Sequence, residues 1–491
     1  MSYNLLDEGW IPILYADGKL SHVGIKEAFT QASGIRQIAA SNPMDRVAVF
    51  RFLLALLYWC QGNPPVTTGV TSERLFSLDR FTKLDANREC FNLLGGGKRF
   101  YQYRQVGDKP LTVNYLVHEI PAGTNYWHFR HATDAISGLC PACCALGLLR
   151  LPAFSTQGGQ GKSPGINDKP PIYVVPSGET LAETLFLSWR PVKNLGSPAW
   201  EKPDLQLPKN GEIPLLTGLT WLPRRVWLGE PQEPLARCIS CGKQDHLILS
   251  SVFAGRGSNK IKGQWRDPQV VYLQNMEGDS LHSVPPFKKA AYKVDPYKVI
   301  DDWACQWAGT MSELLQNPPD ENVMAWVVGF SSDRMKYWEV HESFLPWSGL
   351  EEQLKLCIEM LMAWQVSNSN LYGELKRFDV RDSSATESLD RPEIKSLLAA
   401  VHPQIESRVM GSANHLLTDG EPAWQDARKE YKPLMNLIAG ALAPGITIAS
   451  VRRRKEIARV LHRMSLQPAK TMKPAKPNGG KNESNAYRTI H

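Results

Sequence analysis

The longest apolar pattern in the chain is Asp45–Cys60, DRVAVFRFLLALLYWC, which carries no Gly or Pro and predicts the clearest helix of the N-terminal part. Around it the texture is different. Short runs such as RVWLGE, LILSSVF and AWVVGF, rich in β-branched and aromatic residues, predict strands, and the Pro and Gly residues between them predict long loops. No fixed-period repeat of the solenoid or propeller type is present.

From Leu350 onward the period changes to that of helix. Leu350, Leu354, Cys357, Ile358 and Leu361 share one face, as do Ile394, Leu397, Leu398 and Val401 after a start signal at Asp390 and Pro392. Trp424–Leu442, stopped by Pro444 and Gly445, and Val451–Met464, capped by Ser450, complete a set that predicts a helical bundle. The expected fold is therefore α+β: a large mixed α/β domain over 1–347, a C-terminal four-helix bundle over 348–466, and a flexible basic tail over 467–491, which has too few large apolar groups to offset the entropy of ordering it.

Composition adds little until charge is located. The 491 residues carry a net +7, but Val451–His491 holds eleven Lys and Arg against Glu456 and Glu483, a local +9, so the remainder sums to −2. Charge placed so unevenly predicts a docking face for something acidic, nucleic acid before protein, with a solvated tail as the plain alternative. No apolar run is long enough to span a bilayer, and the start, MSYNLLDEGW, has neither a basic nor an apolar targeting region, so a cytoplasmic protein with no membrane partner is expected.

Cysteine usage narrows the chemistry. Nine cysteines without an export signal do not suggest a disulfide framework. Cys60, Cys90, Cys305 and Cys357 stand alone and read as buried thiols. Cys140-Pro-Ala-Cys143 and Cys238-Ile-Ser-Cys241-Gly are two CxxC knuckles that predict a tetrahedral structural zinc, with Cys144 as an alternative ligand and His128 or His131 as outside candidates. Their wide separation in sequence makes the site a staple within one domain. Four thiolates leave no open position for catalysis.

STQGGQGKSPG, Ser155–Gly165, is almost a phosphate-binding P-loop. The first glycine is replaced by Thr156, and Pro164, Gly165, Pro170 and Pro171 leave no helix for the loop to open, so an ATP site is disfavoured. What remains is a linker, or a loop whose bare backbone approaches a ligand. Two other stretches suggest nucleic acid. In NYWHFRHATD, Asn125–Asp134, rings that stack on bases interleave with Arg130; in GFSSDRMKYWE, Gly329–Glu339, a strand-like run reaches a turn carrying Arg334 and Lys336. A core cluster and an ordinary hairpin are the plain alternatives. No Ser/His/Asp, paired-carboxylate or HExxH spacing indicates catalysis.

The order of these features, NLLDEGWIPI, aromatics before CPACCALGLL, the glycine loop, CISCGK, the VVGFSSDR turn and a terminal helical bundle, resembles the large-subunit (CasA) family of the type I-E CRISPR surveillance complex, Cascade. The resemblance spans nearly the whole chain. It implies a non-catalytic subunit that holds the guide RNA (crRNA) handle, recognises the protospacer-adjacent motif (PAM) in double-stranded target DNA from the minor groove, starts strand separation for R-loop formation, contacts other Cascade subunits and helps recruit a helicase-nuclease. Residue by residue it puts Phe129, with Arg130 beside it, on the guide handle, and Gln157, Gly158, Gly159 and Gln160 against the PAM minor groove, which would leave Lys162 near phosphate. Arg256 takes the place of a PAM-contacting lysine, with Lys260 or Lys262 serving if the loop shifts. Asp333, Arg334 and Met335 take the PAM-reading and wedge positions. An acidic Asp333 and a basic Arg334 depart from the family's amides and put the PAM preference in question. The rival expectations are a zinc-stabilised nucleic-acid-processing enzyme and a P-loop ATPase.

Overall fold

In the computed structural model the described residues are 2–65, 72–119, 138–156, 162, 164–167, 170–208, 210–256, 265–270, 272–274, 281–283, 323–333 and 336–346. The chain divides into two compact units, Met1–Lys289 with Gln306–Phe344, and Ala290–Cys305 with Leu345–His491. The elements below lie in the first, apart from the last two residues of one strand. The four predicted C-terminal helices, the basic tail and the boundary after 347 fall outside the described residues.

The predicted helix forms over Pro43–Gln61. Asn42 caps it by accepting from the Met44 amide at 2.8 Å, Pro43 occupies the first turn where no amide donor is needed, and Gly62 ends it with φ 77°. From Met44 to Trp59 every residue but Arg46 is buried, so this is an interior helix and not a one-sided amphipathic one. Phe52 packs on Trp10, Phe100 and Trp200, which centre the aromatic core.

Two arginines cross this core. Arg51 donates twice to Asp267, at 2.8 and 2.6 Å, and once to Gln269 at 2.7 Å, while its guanidinium lies 4.6 Å from the Tyr173 ring centroid. Arg150, from the helix Pro141–Phe154, reaches Asp45 in the first turn of the central helix and Glu119 at 2.7 Å. Burying a guanidinium is tolerated because each has a carboxylate in bidentate reach.

Three three-stranded sheets form among the described residues. Ile11–Tyr15 lies between Leu20–Val23 and Ile35–Ile38; Ser250–Gly255 lies between Pro110–Thr112 and Arg224–Leu228; Met324–Asp333 lies between Tyr173–Ser177 and Lys336–Pro346. The mixed α/β expectation holds for the described part. One strand was misread. LILSSVF is not continuous, because Leu247 ends a hairpin strand, Ile248 bridges to Leu139, and Ser250 onward joins a different sheet. The partners change there, and only tertiary pairing fixes where. Cys90 is buried as expected, whereas Cys60 is half-buried.

Candidate metal centre and nucleic-acid interface

The two CxxC pairs meet through different local structures. Cys140 is the cap residue of the helix Pro141–Phe154 and Cys143 lies in its first turn, so the first pair is a helix N-terminus and not the knuckle its spacing suggested. The second pair is a true hairpin knuckle between Gln232–Arg237 and Gln244–Leu247. There the Gly242 amide donates to the Cys238 carbonyl at 2.9 Å, and Gly242 holds φ +76°, a conformation that favours glycine.

Main-chain bonds clamp the two together. Leu139 and Ile248 exchange both amide bonds, at 3.0 and 2.8 Å, and Ile239 donates to Gly138 at 3.1 Å. A side chain at Gly138 would come within 2.7 Å of Leu249, so a glycine lets the strands close. The four sulfurs consequently lie within 4.8 Å of one another, with Cys140 Sγ 3.7 Å from Cys241 Sγ. Metal–sulfur bonds of about 2.3 Å in a tetrahedron set sulfur–sulfur edges of roughly 3.8 Å, so the donor set fits such an ion. Hydrogen bonds from Cys140 and Cys143 hold the Cys238 thiol far below its ordinary range, while the corresponding bonds push Cys143 up. Cys144 is excluded from the cluster. It is wholly buried, and burial raises its thiol. His128 and His131 lie outside the described residues.

The glycine stretch leaves the other end of the same helix. Gln157, Gly158, Gly159 and Gln160 are outside the described residues, but the stem is defined. The Gly165 amide donates to the Ser155 carbonyl at 2.9 Å, and Arg224 Nη2 donates to the Thr156 carbonyl at 2.5 Å. Lys162 sits over two rings, its Nζ 5.3 Å from the Tyr115 centroid and 5.7 Å from that of Phe253. Burial, and then the charge of Arg224, push its ammonium down. Residues 164–167 after it form a bridge and a turn, with no helix for a P-loop to open.

Arg256 does not stand free. Its guanidinium donates to the carbonyls of Leu222, at 2.9 Å, and Leu205, and lies 5.6 and 5.5 Å from the Tyr103 and Trp221 ring centroids. Asp333 closes the strand Met324–Asp333 and Lys336 opens the next, so the predicted turn is bracketed by paired strands of ten and eleven residues. Arg334 and Met335 between them, and Phe129 and Arg130, are outside the described residues.

The profile of the family described as CRISPR-associated protein Cse1 matches residues 4–378, well over half of the chain. The chain belongs to that family. A Thermus thermophilus Cse1-family relative, described as CRISPR-associated protein CasA/Cse1, is 30% identical over 217 residues, which is 42% of this chain and 43% of the relative. The chain thus matches less than half the length of that relative in sequence. Solved structures extend the likeness of fold. T. thermophilus CasA (Cse1) is 20% identical with a TM-score of 0.68, covering 94% of this chain and 99% of its own. Acidimicrobium ferrooxidans Cse1 is 21% identical with a TM-score of 0.65, covering 95% and 98%. A chain of a structure described as a CRISPR RNA-guided surveillance complex has a TM-score of 0.61 at 14% identity, covering 94% and 99%.

Sequence reasoning missed the residues that mount these sites. Asp45 and Arg150 are 105 positions apart and Arg51 and Asp267 are 216 apart. The available signal was the charge itself: Arg51, alone within the apolar run Val47–Cys60, requires a buried acid somewhere in the chain.

Proposed function

We propose that this Cse1-family chain is the non-catalytic large subunit of a type I-E CRISPR RNA-guided surveillance complex in the cytoplasm. It reads the PAM of double-stranded target DNA from the minor groove, starts strand separation and helps recruit the helicase-nuclease. The observation that carries this reading is the pinned glycine loop. The Ser155–Gly165 bond and the grip of Arg224 on Thr156 hold the two ends of the loop together on the core helix. A loop so mounted can press backbone against a groove, which a free linker cannot do. Gln157–Gln160 would make that approach, and Lys162, at the exit, supplies positive charge.

Minor-groove reading distinguishes mainly A·T from G·C, so loose PAM tolerance is expected, with sequence specificity delegated to guide pairing. Asp333 ends one of two paired strands and Lys336 opens the other, a base for a wedge at Arg334 and Met335 whose unstacking cost of a few kcal/mol would be offset by guide pairing. Phe129 and Arg130 would hold the guide handle. Lys260 or Lys262 takes the phosphate role in place of Arg256, whose guanidinium is engaged by two carbonyls. The four cysteines would hold a structural zinc. Bound there, zinc supplies folding free energy and not Lewis acidity, because four thiolates fill its tetrahedral shell. The closed donor set disfavours a zinc enzyme. The surroundings of Lys162 disfavour an ATPase.

Gly159→Trp in the assembled complex tests the reading. It should abolish PAM-dependent binding to duplex DNA without lowering the melting temperature of the subunit. Unchanged binding would make the stretch a connector.

A further inference from the structure

A second exposed turn, Arg104–Lys109, has features that its role in the fold does not require. Its backbone is fixed. The Asp108 amide donates to the Gln105 carbonyl at 3.1 Å, Asp108 Oδ2 accepts from the Gln105 amide at 2.8 Å, and Gly107 holds φ +91°. From below, Arg225 donates to both carboxylate oxygens of Asp108, at 3.0 and 2.6 Å, and to the Gly255 carbonyl at 2.5 Å. The Tyr103 amide donates to the Val226 carbonyl at 2.9 Å, tying one arm to the sheet strand Arg224–Leu228.

The tip and arms face outward. Val106 is 107% exposed, and Arg104 and Lys109 are exposed with no ion pair among the described residues. The only acid in the turn, Asp108, is committed to Arg225, so Arg104, Lys109 and Arg225 against Asp108 leave a net +2. A single exposed valine is ordinary. A braced tip carrying an uncovered apolar side chain between two unneutralised cations is complementary to a polyanion whose grooves are edged by sugars.

We infer that Arg104–Lys109 is a second contact for double-stranded DNA, Arg104 and Lys109 each taking a backbone phosphate and Val106 lying against the sugars between them; this rests on the duplex-binding reading above. The turn adjoins Arg256, whose guanidinium covers the Tyr103 ring, and Lys260 and Lys262, proposed for the PAM duplex, follow Arg256 within six residues of sequence. A single strand suits it less. Unpaired bases need open aromatic faces, and Arg99 and Arg104 both lie over Trp227, with centroid distances of 4.6 and 5.1 Å.

The test uses the assembled complex with a PAM-bearing duplex and the same duplex lacking the PAM, titrated at several salt concentrations. Each phosphate contact contributes about 0.9 to the slope of log affinity against log salt. Arg104→Gln with Lys109→Gln should therefore lower that slope by about 1.8 and weaken both duplexes by the same factor, with guide RNA content and melting temperature unchanged. Arg104→Lys with Lys109→Arg should retain the slope, and Val106→Glu should weaken both duplexes without unfolding. An unchanged slope, or loss of guide RNA in place of duplex affinity, would overturn the inference. The two readings fail separately. A wild-type complex indifferent to the PAM removes the PAM assignment, whereas PAM preference with an unchanged slope removes only this turn.

Discussion

Arg150 Nη2 lies 2.8 Å from Asp45 Oδ2, and this pair joins the helix that carries two of the cysteines to the first turn of the central helix. Both side chains are under a tenth exposed, so removing one partner leaves an uncompensated charge in the core. Asp45→Ala should destabilise the N-terminal unit by about 3–5 kcal/mol in urea unfolding. Arg150→Met with Asp45→Leu should cost less than the sum of the single changes. Additive costs would mean that the pair is not coupled.

Metal content is the direct check on the cysteine cluster. The purified subunit should carry about one zinc per chain by elemental analysis, as a four-thiolate site predicts. Cys238→Ser should lose it, together with several degrees of melting temperature, and Cys144→Ser should keep it, because Cys144 lies outside the cluster. Acid should release the ion, since protons compete for the thiolates. A metal-free protein of unchanged stability after Cys238→Ser would leave four reduced thiols.

Arg256 and the lysines after it should separate structure from binding. Arg256→Ala frees the carbonyls of Leu222 and Leu205 and strips two rings of their cation, so a loss of roughly 1–3 kcal/mol in stability is expected. Lys260→Ala with Lys262→Ala should leave stability unchanged and reduce duplex affinity and its salt slope. The reverse pattern, read by thermal melting beside DNA titration, would return the phosphate contact to Arg256.

Arg334→Ala should slow R-loop formation on an intact duplex and spare binding to a duplex with a pre-opened bubble. Insertion helps only where base pairs must be parted. Equal losses on both substrates would assign Arg334 to affinity and not to the wedge.

Much of the local chemistry was legible. The Asp45–Cys60 pattern predicted a helix that forms over Pro43–Gln61, and the AWVVGF run lies within the strand Met324–Asp333. The CxxC spacings picked out the four sulfurs that meet. Their setting was not legible, since the first pair forms a helix N-terminus and the second a hairpin. The surroundings of Arg256 were not legible either. The resemblance put Arg256 in the place of a PAM-contacting lysine, and only the approach of Leu205 and Leu222 shows that its guanidinium donates to two carbonyls.

The sequence by itself determined which segments are apolar at which period, where thiols are paired by spacing, and the order of motifs that marks the family. These are properties of neighbours along the chain, where a few residues decide backbone preference. The tertiary structure alone decided that Cys144 stands outside the cluster, that Arg150 finds Asp45, and that Ser155 and Gly165 close the base of the glycine loop. Those outcomes depend on which distant groups share a low-dielectric interior, where each buried charge or amide must find a partner, and no local pattern specifies that partner.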